Sequence, residues 1–146
     1  LMDAYSMLLD MRKKDVEQAA IEVSSVRSQI EKARAQISTM EGYLLDIKKK
    51  ASSSALGGTF GDKVVGYSNY IERIRSGVSQ QKHRLDILTK QAEFVHKKWL
   101  ERIMEMKKVE KLIEVRVRKQ NEIEAKNEQK VFDELSSRFV LSREDD

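Results

Sequence analysis

Apolar residues recur along the first third of the chain in alternating steps of three and four. Val16, Val23, Ile30, Ile37, Leu44 and Ala51 form one row, and Ala19, Val26, Ala33, Met40 and Ile47 form the other. This is a heptad, lettered a to g, with a and d apolar through successive repeats, and it predicts a coiled-coil helix. Extended backward it takes in Met2, Tyr5 and Leu9, with Arg12 the single charged intruder. Leu8 and Met11 offer a slightly rotated seam over the same turns. A helix of about 50 residues is roughly 75 Å long at 1.5 Å per residue.

The rhythm breaks once, between Ser52 and Asp62, and this is the only run of small and flexible residues in the chain. Serine hydroxyls compete for backbone groups and weaken a helix. Gly57 and Gly58 can adopt positive φ and close a helix C-terminus, and Thr59 or Asp62 can cap the next helix. The heptad then resumes with Val64, Ile71, Val78, Leu85, Ala92, Trp99, Met106 and Ile113 at a. Tyr67, Ile74, Gln81, Leu88, Val95, Arg102 and Val109 stand at d. A short connection favours antiparallel neighbours. The expected fold is all-α: two long helices in an antiparallel coiled-coil hairpin, with the C-terminal helix overhanging. It is read as one coiled-coil domain over 1–146, with a first helix at 1–52, a hinge at 53–61, a second helix at 62–140 and a tail at 141–146.

A turn centred near Gly58 and Thr59 sets the register, pairing residues whose numbers sum to about 118. Ala19 then faces Trp99, Val26 faces Ala92, Ala33 faces Leu85 and Ala51 faces Tyr67, so a small side chain meets a larger one in these layers. Sliding by one heptad would set Ala19 against Ala92 and Arg12 against Trp99, leaving a void and a buried charge. Past Ile113 the seam turns polar, through Arg116, Gln120, Asn127, Lys130 and Glu134, with only Ile123 apolar. That is where the first helix runs out. The expectation is an unpaired C-terminal overhang of about 25 residues, roughly 40 Å of helix. Within it Val131, Phe132, Leu135 and Phe139 share a helical face, followed by Val140, Leu141 and an acidic end. A lone amphipathic turn needs something to pack against, either locally or on a docked partner protein.

Composition agrees with a rod. Charged residues make up 36% of the 146 and hydrophobic ones 40%, so there is too little apolar surface for a thick core or a third helix. Proline is absent, so nothing forces a break in either helix. Cysteine is also absent, which excludes disulfides and thiolate metal sites. The net charge is +4, but acids interleave with bases almost throughout, unlike the one-sided basic face of a nucleic-acid binder. No apolar run approaches the roughly 20 residues that span a bilayer, and no basic-then-apolar leader opens the sequence. A soluble cytoplasmic protein is expected.

The residues offer no catalytic constellation. His83 and His96 fall on outer heptad positions without a ligand companion at metal-binding spacing. The glycines from Gly57 to Gly61 lack the lysine and preceding strand of a phosphate loop. Acid pairs such as Glu101 and Glu105 sit beside lysines as surface ion pairs. Trp99 lies in the seam as core filler, and a two-helix rod has no concave pocket to desolvate a reaction. The expectation is a protein that is not an enzyme, with no cofactor, metal, small-molecule substrate or nucleic acid, and monomeric when free.

Four local features carry a family resemblance. Lys14 through Ala20 open the first arm, Tyr67 through Ile71 follow the hinge, and Trp99 stands mid-way along the second arm. The end, from Asn121 to Phe139 with Gln129, Lys130, Asp133 and Glu134, completes the pattern. In order and spacing the chain resembles, over nearly its full length, the FliJ family, the small coiled-coil proteins of the flagellar type III export apparatus. Stalk proteins of virulence type III systems are similar in architecture.

The resemblance implies a part like the γ stalk of the rotary F-type ATPase. Such a protein would enter the pore of the hexameric export ATPase, promote ring formation, contact the membrane export gate and bind export chaperones. It would be cytoplasmic, peripherally associated with the inner membrane at the export apparatus. The ring contact would fall on Val131, Phe132, Leu135 and Phe139. Carried over by the resemblance, the gate-binding patch falls on Gln36, Met40, Tyr43, Ile47, Tyr70, Ile74, Gly77 and Gln81. Gln36, Tyr43, Tyr70 and Gly77 stand at flanking g positions, and the other four at d. Ile47 and Gly77 stand where the family more often has an aromatic and an alanine. Tyr43 and Tyr70 are the expected exposed contacts. Two other classes compete: a segment of a longer structural coiled coil, against which the hinge argues, and a basic nucleic-acid-binding helix, which salt-sensitive retention would reveal.

Overall fold

Asp3 starts the first helix. Its Oδ1 accepts the backbone N–H of Ser6 at 2.8 Å, and its carbonyl accepts that of Met7 at 3.2 Å. This is N-cap geometry, in which a side chain satisfies a donor that the helix itself leaves unpaired. The cap opens α1, Ala4–Leu56, which is followed by α2, Asp62–Glu144, in a computed structural model that describes residues 3–56 and 62–144. Among the described residues all but Asp3 are helical, so the fold is all-α.

Both helices run a few residues beyond the sequence expectation. α1 continues through Ser52, Ser53 and Ser54 to Leu56. Serine costs a helix only a few tenths of a kcal/mol per residue relative to alanine, on the order of 0.5, which a long, already nucleated helix absorbs. α2 reaches Glu144, with Arg143 in the last turn where the helix dipole favours a cation. The glycines expected to make the turn, and Thr59, lie outside the described residues, as does the side chain of Asp62.

Contacts divide the chain into two units. One is Glu17–Glu101; the other is Leu1–Val16 with Arg102–Asp146. In the first, the α1 segment lies antiparallel to the α2 segment. Glu22 pairs with Lys98 at 3.4 Å and Glu41 with Lys82 at 3.3 Å, while Met40 lies against Gly77. These partners match the expected register. Val23, Val26 and Val95 form a buried cluster with Ile30, Ala92 and Trp99 packed against it. Every described a and d side chain of this unit, from Ala19 to Ala51 and from Tyr67 to Trp99, is buried or half-buried. Burial of the seam is what holds the pair, at roughly 25 cal/mol per Å² of apolar surface removed from water.

In the other unit Val109 is buried and Met106, Ile113 and Val16 are half-buried. Arg102, at a d position, is exposed, and Ile103 beside it is half-buried instead. Leu8 and Leu9 are both half-buried while Tyr5 and Met11 are exposed, so the contact falls between the two candidate seams. Arg12 stays partly in solvent and pairs with Asp15 at 3.3 Å, so the intruding charge is not buried unpaired. Beyond Val115 the character changes. Every residue from Arg116 to Arg143 is exposed, and Arg116 is the last of them with an ion pair to the first helix, at Asp3.

Candidate interaction surfaces

The eight residues of the expected gate patch come together in the Glu17–Glu101 unit. They occupy facing stretches of α1 and α2 along one flank of the pair, where g positions of the two helices meet. Gln36, Tyr43 and Tyr70 are exposed, the tyrosines at 58% and 51%. Met40, Ile47, Ile74, Gly77 and Gln81 are half-buried, as seam and seam-edge positions should be. The patch is therefore a tyrosine-bearing surface laid over seam residues.

Its relief is shaped by residue size. A Cβ placed on Gly77 would meet the Met40 Cε at 3.3 Å, so the missing side chain is what lets Met40 lean across. Two of the grooves on this flank are lined by apolar residues of the patch. One, about 350 Å³, is lined by Ala35, Gln36, Thr39, Met40 and Gln81. The other, about 530 Å³, is lined by Ile47, Lys50, Gly66, Tyr67 and Tyr70. Lys50, Gly66 and Tyr67 were not among the expected site residues. Lys50 could have been found from the heptad: it stands at g, as does Tyr70, and the Glu22–Lys98 ion pair joins two g positions. The Oε1 of Gln81 is buried without a hydrogen bond, as is the Nε1 of Trp99, which lies near His96 at a ring separation of 5.7 Å.

The four expected ring-contact residues lie in the other unit, on the exposed end of α2. Val131, Phe132, Leu135 and Phe139 are all more than half exposed, with Phe132 at 65%. Spacings of three and four place them on one side of the helix. The polar remainder is tied locally: Gln129 donates to Asp133 at 3.0 Å, and the Arg143 guanidinium lies 5.2 Å from the Phe139 ring centroid. Of these contacts only the Arg143 guanidinium lies over the apolar stripe, at Phe139.

A third cluster escaped the sequence reading. Arg116 extends its guanidinium over the Tyr5 ring, 4.8 Å from the centroid, and reaches Asp3 Oδ2 at 3.4 Å. Asp3 thus caps α1 with one oxygen and holds α2 with the other. Its carboxyl is held below the ordinary value, chiefly by the Ser6 backbone N–H, with Arg116 a smaller contributor. The signal was an aspartate two residues before Tyr5, with serine three positions on, which is a cap pattern. Among the described residues no group of His, Asp and Glu could hold a metal ion.

The family model described as the flagellar FliJ protein matches residues 2–145. The flagellar FliJ protein of Escherichia coli (strain K12) is 21% identical over 140 residues, covering 96% of this chain and 95% of that protein. No solved structure matches the chain. A coiled-coil pair of long helices, matched from near its first residue to near its last by one family model, belongs to the FliJ family of flagellar proteins.

Proposed function

We propose that this chain is a non-enzymatic component of the flagellar protein export apparatus, acting as a central stalk of the export ATPase. The exposed end of α2 enters the hexameric ring and promotes its assembly, and the tyrosine flank meets the membrane export gate. Export chaperones bind the same protein for recycling. The observation that supports the stalk reading is the stretch from Arg116 to Arg143, exposed throughout and carrying the Val131, Phe132, Leu135 and Phe139 stripe. An apolar stripe on an unpaired helix gains by docking into a groove of a partner. No described helix is long and apolar enough to cross a membrane, and in this reading the gate supplies the attachment to the inner membrane. Family membership favours this flagellar role over a virulence-system stalk.

The test is ATP turnover and ring assembly of the cognate export ATPase with and without the chain. Phe132→Ala combined with Leu135→Ala is expected to abolish stimulation while far-UV circular dichroism stays unchanged. Full stimulation by the folded double variant would sink the assignment. For the gate, Tyr43→Ala with Tyr70→Ala is expected to lose capture of the gate's cytoplasmic portion.

A further inference from the structure

The charge of this chain is not spread as evenly as its interleaved acids and bases suggest. Residues 44–75 hold six Lys and Arg (Lys48, Lys49, Lys50, Lys63, Arg73 and Arg75) against three acids (Asp46, Asp62 and Glu72). That is a net charge of +3 where α1 finishes and α2 begins; residues 107–119 are more basic still, with six bases against two acids, but there Lys108, Lys111, Arg116 and Arg118 are held in ion pairs. Lys48, Lys49, Lys50, Arg73 and Arg75 are all exposed, and among the described residues none of them forms an ion pair.

The heptad shows that this is a change of pattern. Glu41 and Lys82, both at e, close an ion pair across the two helices at 3.3 Å. One heptad toward the connection the equivalent positions hold Lys48 and Arg75, two cations. On the opposite flank Glu22 and Lys98 pair at g, whereas Lys50 at g shares its groove with Tyr70 and has no acid across the pair, its nearest in sequence being Asp46 one turn back on α1. Cross-helix attraction thus gives way, on both flanks, to cations with no acid opposite them on the other helix. Like charges so placed weaken the pair slightly and leave a positive field that an external anion can relieve.

The same end carries the larger groove of the tyrosine flank. Ile47, Gly66, Tyr67 and Tyr70 supply its apolar wall and floor, and Lys50 stands in its lining. An apolar pocket with a cation in its lining fits a segment that offers an apolar side chain with a carboxylate close by. A membrane surface is flat and would use neither the concavity nor its lining.

We infer that this end of the Glu17–Glu101 unit receives an acidic protein segment, one apolar anchor of which seats against Ile47, Tyr67 and Tyr70 while its carboxylates meet Lys50 and the field of Lys48, Lys49, Arg73 and Arg75. The inference rests on the gate reading above and specifies its chemistry: the gate's contacting segment is acidic. Charge complementarity of this kind acts mainly on the association rate and is screened by salt over about 10 Å at 0.1 M.

The experiment uses the full-length chain and the purified cytoplasmic portion of the cognate gate protein, with association rate and Kd measured across a series of NaCl concentrations. Lys48→Gln, Lys49→Gln and Lys50→Gln together are expected to slow low-salt association about tenfold and to flatten its salt dependence. Lys107→Gln, Lys108→Gln and Lys111→Gln remove the same charge elsewhere and are expected to change neither. Wild-type rate and salt slope in the first triple variant would overturn the inference, and if Tyr43→Ala with Tyr70→Ala still abolished binding, the gate reading would survive it. No binding by the wild-type chain even at low salt would remove both. Two parallel arms name the other occupants: vesicles rich in phosphatidylglycerol, and the chain itself by light scattering. Lysine-dependent binding to either in place of the gate portion overturns the acidic-segment inference.

Discussion

Two stretches of α2 share one helix, yet they behave differently. From Tyr67 to Trp99 every a and d side chain is buried or half-buried, and the best of them, Leu88 and Val95, are under a tenth exposed. From Arg116 to Arg143 nothing is buried, although Val117, Ile123, Val131, Phe132, Leu135 and Phe139 are large and apolar. Helix propensity does not separate them. Spacing does: the first stretch repeats its apolar residues at heptad intervals opposite a partner of matching period, and the second does not. Function divides along the same line. The packed stretch spends its apolar surface on the fold and leaves only its flanks for partners, while the unpaired stretch keeps a whole face available.

Attacking the packed side should have the largest effect. Val26 is 3% exposed within the central cluster. Val26→Asp places an ionisable group there with no partner, and a cost of at least about 3 kcal/mol is expected. In so narrow a pair this should appear as a collapsed urea midpoint followed by circular dichroism, and a midpoint close to wild type would mean the seam contributes little. The double change at Phe132 and Leu135 removes more apolar volume from the exposed stretch, yet it should move that midpoint by no more than about 0.5 kcal/mol, as surface substitutions do. The two variants together invert the intuition that a larger side chain matters more.

The contrast was legible because period is a strong signal. A seam kept from Val16 to Ala51 and again from Ile71 to Ile113 admits one face, and a short connection admits one register. The Glu22–Lys98 and Glu41–Lys82 pairs are where that register requires them. Period says little about positions that depend on two helices at once. The Arg116 contact with Tyr5 and Asp3 joins residues at opposite ends of the sequence, and neither partner is unusual on its own helix. Ser52 through Ser54 misled for a related reason: their local preference for turns is weak against a helix already formed. The groove at Lys50 and Tyr70 was missed because flanking positions were read one helix at a time.

Gly77 tests the border between packing and surface. Alanine in a helix interior is favoured over glycine by about 0.5–1 kcal/mol. Its Cβ would meet the Met40 Cε at 3.3 Å, so the methionine end must move by a few tenths of an ångström. That atom is the tip of a flexible side chain, which can swing away at small cost. Gly77→Ala is therefore expected to raise stability by about 0.5 kcal/mol. A loss of stability would show that Met40 is locked, and that the relief of the tyrosine flank is rigid rather than adaptable.

The smallest expected effect lies at Asp3, where the exposed end of the first helix meets Arg116. The Ser6 N–H, more than the guanidinium, holds the Asp3 carboxyl below its ordinary 3.8. A group whose value is lower folded than unfolded stabilises the fold above the unfolded value and loses that contribution as pH falls through the folded one. Capping at this end should therefore be intact at neutral pH and fade only below 3.8. The carboxyl carbon of Asp3, followed by NMR, should titrate with a midpoint under that value, and the Ser6 amide should move with it. Asp3→Asn keeps a capping oxygen but carries no charge, so the first turn should persist while the Ser6 amide loses this titration. A midpoint at or above 3.8 in the wild-type chain would mean that the hydrogen bond does not hold in solution. The contact with Arg116 would then be an incidental surface pair, and the first turn of α1 would be as unconstrained as the far end of α2.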